Sequence, residues 1–268
     1  MGKWAWYNGS MKITILGAGA YGTALGGVLA DNGYDIDYYD PRVEKEKLSA
    51  TMVRAKAVLL CVPSSSAPHV LPYLPTELPL IVATKGILSD ACFEKFNDWM
   101  VLSGPGYAKD IKARRVTHLT ATDERIVEMF GTEYLDFDET KDRRGVLMCG
   151  ALKNVYAILA GMLDLKPVTR EHRRFLAAAA REMAEILVAN GCEPETVELN
   201  CGKGDLKITC YHPSRNYEFG VKVRDGFVQP ENTVEGLSAL KRIRRGEIVL
   251  PEGLELMGRI LQESKTWG

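Results

Sequence analysis

The chain has 268 residues, a formal net charge of -1, six cysteines and four histidines. That length suits one large domain or two modest ones with a sizeable core, and a charge near zero gives no reason to expect nucleic acid or an anionic membrane as partner. The cysteines (Cys61, Cys92, Cys149, Cys192, Cys201 and Cys210) show no C-x-x-C pair and the histidines (His69, His118, His172, His212) are dispersed, so reduced core thiols are expected rather than a disulfide frame or a metal centre.

No apolar run approaches the roughly 20 residues of a membrane helix. No signal peptide or internal repeat is visible, and the cytoplasm is the default compartment. Residues 1–10 end in Gly9-Ser10 before a second methionine, Met11. They read as an expression tag outside the fold; the alternative is a native aromatic arm that docks on a partner chain.

From Met11 the spacing predicts a strand over Lys12–Leu16, then Gly17-Ala18-Gly19-Ala20-Tyr21-Gly22, then a helical run from Thr23 to Asn32. This is G-x-G-x-x-G between a strand and a helix, the context that dinucleotide binding requires. Gly17 permits the tight turn, Gly19 lets a pyrophosphate approach the backbone, and Gly22 lets the helix pack on the strand. The phosphates would sit on the positive helix N-terminus. A turn at Gly33 leads to a second strand, Ile36–Tyr39, ending in Asp40. Asp40 lies near the position where an acid grips the adenosine ribose, although Asp40-Pro41 also reads as a plain turn. A carboxylate there repels a 2′-phosphate, so NAD is favoured slightly over NADP; Arg42 close by would accommodate NADP.

Two further buried-type strands, Ala57–Val62 and Leu80–Thr84, hand over to Pro63-Ser64-Ser65-Ser66 and to Lys85-Gly86, and Val101-Leu102-Ser103 leads into Gly104-Pro105-Gly106-Tyr107-Ala108. Ligands bind at such C-terminal strand ends in an open parallel sheet. Lys85 is therefore a site candidate as well as a candidate turn lysine.

After roughly Arg144 the pattern becomes helical. In Gly150–Ile158, Leu152, Val155, Tyr156 and Leu159 share one face, and Lys153 and Asn154 lie beside it near the start of a helix. Apolar surroundings lower a lysine's pKa and suit it to proton transfer near neutral pH; the plainer reading is a lysine that snorkels. Glu171–Asn190 reads as a long helix ended by Gly191. Gly202-Lys203-Gly204 suggests a turn with Asp205 as N-cap, and a helix from there sets Asp205 and Thr209 on one side. Arg215 offers a planar fork suited to phosphate, flanked by Ser214 and Asn216; it also reads as a surface ion pair. Helices follow from Leu237 and Leu254. The fold expected is α/β: an N-terminal Rossmann dinucleotide-binding domain over 11–144, then an all-helical C-terminal domain over 145–268.

The ordered set Gly-Ala-Gly-x-x-Gly-Thr-Ala, Val-Pro-Ser, Lys-Gly, Ser-Gly-Pro, Gly-Ala-Leu-Lys-Asn-Val, Gly-Asp-Leu, Thr-Cys, Ser-Arg-Asn-x-x-Phe-Gly and Val-Glu-Gly resembles the bacterial-type NAD(P)-dependent glycerol-3-phosphate dehydrogenases, from Met11 to about Gly236. The resemblance implies reversible reduction of dihydroxyacetone phosphate to sn-glycerol 3-phosphate with NAD or NADP, supplying phospholipid synthesis. It implies that Lys153 is the catalytic lysine, that Lys85 is a second active-site lysine, and that Asp205 balances their charge. Asn154, Asp205 and Thr209 would surround the substrate. Ser214, Arg215 and Asn216 would hold its phosphate, with Arg215 also near the cofactor. Gly104 and Gly106 fall at the substrate loop, Gly106 replacing a family Ser or Thr. Ala20, Tyr21, Lys85, Ala108 and Glu235 would touch the dinucleotide, and Tyr39 stands where a family Arg or His approaches the adenosine. A homodimer is the assembly it suggests.

The chain is shorter than the family. Little separates Asp40 from Ala57, and the link from Lys85 to Ser103 is trimmed. The stretch Leu163–Arg181 lacks the usual Gly-rich turn, and Ala-Arg-Glu-Met stands where Thr-Arg-Gly-Leu is common. Competing expectations are a β-hydroxyacid or ketopantoate-type reductase, whose carboxylate substrates do not need the Ser214-Arg215-Asn216 set, and a non-catalytic dinucleotide-binding protein.

Overall fold

A computed structural model describes residues 11–40, 54–87, 90–211, 214–227 and 234–267. The expectations for residues 1–10, for Arg42 and for the shortened link after Asp40 fall outside or largely outside these residues. The chain forms two compact units. One takes in the chain up to Thr84 with 91–102 and 106–141; the other takes in 85–90, 103–105 and 142–268.

The first unit is built on a seven-stranded sheet in the order β2-β1-β3-β4-β5-β6-β7. Its elements are β1 (Lys12–Leu16), α1 (Ala20–Asp31), β2 (Asp35–Tyr39), β3 (Ala57–Leu60), α2 (Ala67–Val70), β4 (Leu80–Val82), β5 (Trp99–Ser103), α3 (Ala108–Lys112), β6 (Thr117–Ala121), α4 (Glu124–Phe130) and β7 (Leu135–Glu139). β1 pairs parallel with both β2 and β3, and β3 continues parallel to β4 and β4 to β5. Both faces of the central strands are covered, which is why β3 reads as an unbroken apolar run with every residue buried. Ile13, Ile15, Leu25, Leu29, Leu59, Ile81, Met100, Leu119 and Phe130 join one core cluster. The strand order reverses at β1, so the turn after β1 lies at the switch point where open sheets of this kind bind ligands.

α1 starts at Ala20 rather than at Thr23. Gly19 is its N-cap, and the glycine motif therefore runs straight into the first helical turn.

The second unit is helical: α5 (Arg143–Met162), α6 (Arg170–Ala189), α7 (Asp205–Thr209), α8 (Arg215–Arg224), α9 (Glu235–Arg244) and α10 (Glu255–Glu263). α5 is its axis, with every residue from Gly145 to Gly161 buried. Two expectations are corrected here. Lys153 and Asn154 lie in the middle of a 20-residue helix, not near its start. By length and composition this helix, whose most apolar window of 18 residues has a mean hydropathy of 1.5, is able to cross a membrane, contrary to the expectation of no such run. Its apolar content has another cause: 94% of that window is buried inside the fold, against the helices that surround it.

Glycines let those neighbours approach α5 at backbone distance. A Cβ on Gly161 would lie 2.0 Å from the Tyr217 carbonyl oxygen, and one on Gly220 would lie 2.0 Å from that of Ile158. α8 is thereby seated on the helix that carries Lys153. A Cβ on Gly236 would meet the Asn154 carbonyl at 2.7 Å, which seats the start of α9 on the same turn.

Candidate active site

Gly17, Gly19, Ala20, Tyr21, Gly22, Tyr39, Asp40, Gly106 and Ala108 belong to the sheet unit, and Lys85, Gly104, Lys153, Asn154, Asp205, Thr209, Ser214, Arg215, Asn216 and Glu235 to the helical unit.

In the sheet unit, Gly17 has φ +103° and its amide donates to the Tyr39 carbonyl at 2.8 Å. A Cβ on Gly22 would lie 2.1 Å from the Gly17 oxygen, so only glycine closes this turn. Gly19 faces open space, with nothing within 4 Å of its hypothetical Cβ. The first turn of α1 carries no side-chain cap and no acidic residue. An uncapped helix N-terminus beside a side-chain-free approach fits a dinucleotide pyrophosphate. Asp40 follows β2 half-buried, and Tyr39 is 5% exposed, so its ring is part of the packing around β2. A Cβ on Gly106 would press on Leu119 at 3.1 Å, a steric reason for glycine at this position.

In the helical unit one carboxylate organises two amines. Asp205 is 1% exposed and Lys153 is 3% exposed, and they form a buried ion pair through Asp205 Oδ2. Lys85 Nζ donates to the same Oδ2 at 3.2 Å and to the Gly104 carbonyl at 2.8 Å. Lys85 is therefore a half-buried, doubly engaged group and not a solvated turn lysine. Burial lowers the Lys153 amine to about 8; Asp205 opposes that fall, and the Lys85 charge adds to it. Thr209 Oγ1 donates to the Asp205 carbonyl at 2.6 Å, which sets the two residues on one side of α7 as expected.

Asp205 is not an N-cap. Asn200–Gly204 winds as a π-helical turn that runs directly into α7. Gly202 allows this winding, since a Cβ there would lie 2.2 Å from the Val197 oxygen. The turn aims Asp205 inward.

Asn154 donates to the Gly150 carbonyl at 3.1 Å and to Glu235 Oε2 at 3.3 Å. Asn216 donates to Asn154 Oδ1 at 2.9 Å and accepts from the Gly236 amide at 2.9 Å. Ser214 is buried just before α8, and Arg215, the first residue of α8, is exposed. Burial pushes the Glu235 carboxyl above its usual range, while Lys153, Lys85 and Arg215 pull it back.

Sequence reasoning missed Glu182. It is 3% exposed and accepts from Tyr156 Oη at 3.0 Å and from the Leu256 and Met257 amides at 2.7 and 2.9 Å. Its signal was present: Glu182 lies three residues after Ala179 and four before Ile186, on the apolar face of α6.

A parallel sheet with a glycine-rich turn at its switch point, continued by a helical unit holding a buried lysine, defines a nicotinamide-dependent dehydrogenase class. Residues 142–254 match the family profile described as the C-terminus of NAD-dependent glycerol-3-phosphate dehydrogenase. A glycerol-3-phosphate dehydrogenase [NAD(P)+] of Leptospira biflexa is 30% identical, covering 88% of this chain and 85% of the relative. One of Citrifermentans bemidjiense is 31% identical, covering 80% and 79%. The fold is also that of the Coxiella burnetii glycerol-3-phosphate dehydrogenase crystal structure, with a TM-score of 0.78, 24% identity and 95% of each chain covered. The chain belongs to the NAD(P)-dependent glycerol-3-phosphate dehydrogenase family.

Proposed function

We propose that this protein reduces dihydroxyacetone phosphate to sn-glycerol 3-phosphate, reversibly, with Lys153 as the proton donor. The observation that carries the residue assignment is the buried Lys153–Asp205 pair with Lys85 on the same carboxylate. When bound, reduced NAD or NADP supplies the hydride to the carbonyl carbon.

The substrate ketone oxygen lies at Lys153 Nζ, which gives it a proton as the C=O bond becomes an alcohol. A positioned acid of this kind contributes about 10²–10⁴-fold. Asp205 keeps Lys153 charged despite its burial, and the paired cations stabilise negative charge developing on the oxygen. Lys85 is fixed by Gly104 and Asp205 and adds a second positive group. Arg215, Ser214 and Asn216 form the phosphate pole, Arg215 as a charged fork and the others as neutral donors. Gly17, Gly19, Ala20, Tyr21 and Gly22 cradle the pyrophosphate, and Asp40 takes the ribose. Its carboxylate favours NAD slightly over NADP. The product feeds phospholipid synthesis, the location is the cytoplasm and the assembly is a homodimer, which light scattering tests.

The activity is tested by loss of reduced-nicotinamide absorbance with dihydroxyacetone phosphate, with NADH and NADPH run in parallel. Turnover of the phosphate ester but not of free dihydroxyacetone is expected, and Arg215→Ala raises KM for the ester. Equal turnover of the two ketones would remove the phosphate pole from the proposal.

A further inference from the structure

Asn154, Asn216 and Glu235 form a chain of polar groups whose direction is set by backbone at both ends. The Gly236 amide, at the start of α9, donates to Asn216 Oδ1 at 2.9 Å. A backbone N–H only donates, so the Asn216 oxygen faces it and Nδ2 faces Asn154. There Nδ2 donates to Asn154 Oδ1 at 2.9 Å. This turns the Asn154 nitrogen toward two acceptors, the Gly150 carbonyl at 3.1 Å and Glu235 Oε2 at 3.3 Å. A primary amide has two N–H groups, and both of those on Asn154 are now used. Asn154 and Asn216 are 3% and 8% exposed, so neither amide is free to reorient into water. Asn216 retains one N–H.

We infer that Glu235 is a positioning residue for the substrate: its carboxylate holds the Asn154 amide, and Asn154 holds Asn216 with its remaining N–H directed to the substrate phosphate. This rests on the reading of Asn216 as part of the phosphate pole. It differs from a role for Glu235 at the dinucleotide, because it predicts that loss of Glu235 is felt by the phosphate-bearing substrate. Three helices meet in the relay: α5 through Asn154, α8 through Asn216, and α9 through Glu235 and Gly236. The glycine contacts of Gly220 and Gly236 with α5 hold those helices at the spacing the relay needs.

The test compares Glu235→Ala with Glu235→Gln in the full chain. Gln keeps an acceptor oxygen for Asn154 and removes the charge; Ala removes both. In Glu235→Ala, KM for dihydroxyacetone phosphate is expected to rise about tenfold, equivalent to about 1.4 kcal/mol, whatever the change in KM for NADH. Glu235→Gln is expected to restore most of the loss. A rise in KM for NADH alone, or a Gln variant as impaired as Ala, would overturn the inference. A readout without turnover is the side-chain amide spectrum of protein carrying 15N only in asparagine. The Asn154 and Asn216 Nδ2 protons are expected to exchange slowly in the wild-type protein and in Glu235→Gln, and the Asn154 signal to move in Glu235→Ala. Exchange of both at solvent rates in the wild-type protein overturns the relay even if Glu235→Ala does not fold. A wild-type protein that turns over no ketone phosphate removes the functional reading and leaves the relay to be judged by these signals.

Discussion

Lys153 and Asp205 are 52 positions apart in sequence and share a buried ion pair whose carboxylate also takes Lys85. The arrangement is one anion between two cations. Breaking a buried pair by removing one partner costs about 3–5 kcal/mol, because the other charge is left uncompensated. Removing Asp205 would strand Lys153 beside Lys85 at a site with almost no water access. The lysine would then shed its proton, which is the group the reaction needs.

The pH dependence follows with its sign. Burial is the largest influence on Lys153 and brings it to about 8, Asp205 raises it, and Lys85 lowers it. Reduction uses the protonated amine, so its rate falls as pH rises through about 8. Asp205→Asn is expected to move this basic limb to lower pH, and Lys85→Met to move it to higher pH, whatever each does to the maximal rate. Rate profiles with dihydroxyacetone phosphate check this. Shifts of the same direction in both variants would disconnect the limb from Lys153.

The two glycines of the turn after β1 are expected to separate stability from binding. Gly17→Ala meets the Cys61 backbone at 2.8 Å from a φ of +103°, so the melting temperature drops by several degrees. Gly19→Ala meets no protein atom within 4 Å and leaves melting nearly unchanged. It does occupy the approach of the pyrophosphate, so NADH binding weakens by about tenfold or more, some 1.4 kcal/mol. Fluorescence titration and calorimetry on the two variants separate the effects; a Gly19→Ala protein with unchanged NADH affinity would move the cofactor elsewhere.

The sequence was legible where local rules decide the outcome. The glycine turn, the strand at Lys12–Leu16 and the helix ended by Gly191 follow from backbone sterics and periodicity, and they stand where expected within a few residues. It was not legible where long-range packing decides. Periodicity around Leu152 marks one apolar face, yet α5 is buried all round, because α7, α8 and α9 cover what a surface helix would leave wet. That burial turns Lys153 from an amphipathic side chain into a desolvated one. Asp205 read as a cap because two glycines precede it; the π-helical winding that directs it inward depends on Val197, a contact no spacing rule contains. Glu182 escaped because a buried carboxylate makes sense only once the start of α10 is known to rest on it.

Glu182 should be worth more to stability than any surface charge. It receives two backbone amides from α10 and the Tyr156 hydroxyl, and the Tyr156 hydroxyl is held far from ionisation by burial and by this carboxylate. Hydrogen bonds to a charged group contribute about 1.5–3 kcal/mol each. Tyr156→Phe is expected to cost about that amount. Glu182→Ala costs more, since it strands the hydroxyl and both amides together. Thermal melting ranks them; equal melting of Tyr156→Phe and the wild-type protein would show that the hydroxyl contact contributes nothing net.

The link between α5 and α6 carries strain that substitution should relieve. Val168 has φ +68° and is 80% exposed, immediately before the Thr169 N-cap of α6. A β-branched side chain in the left-handed region loses roughly 1–2 kcal/mol relative to ordinary backbone, and so little of it is buried that packing offsets almost none of this. Asparagine tolerates that conformation. Val168→Asn is therefore expected to melt higher than the wild-type protein. Val168→Gly removes the strain completely but adds freedom to the unfolded chain, worth about 0.4–1 kcal/mol in the opposite sense, so its gain is smaller. Calorimetry of the three proteins tests the order. A Val168→Asn protein that melts no higher would mean that the left-handed turn costs nothing here.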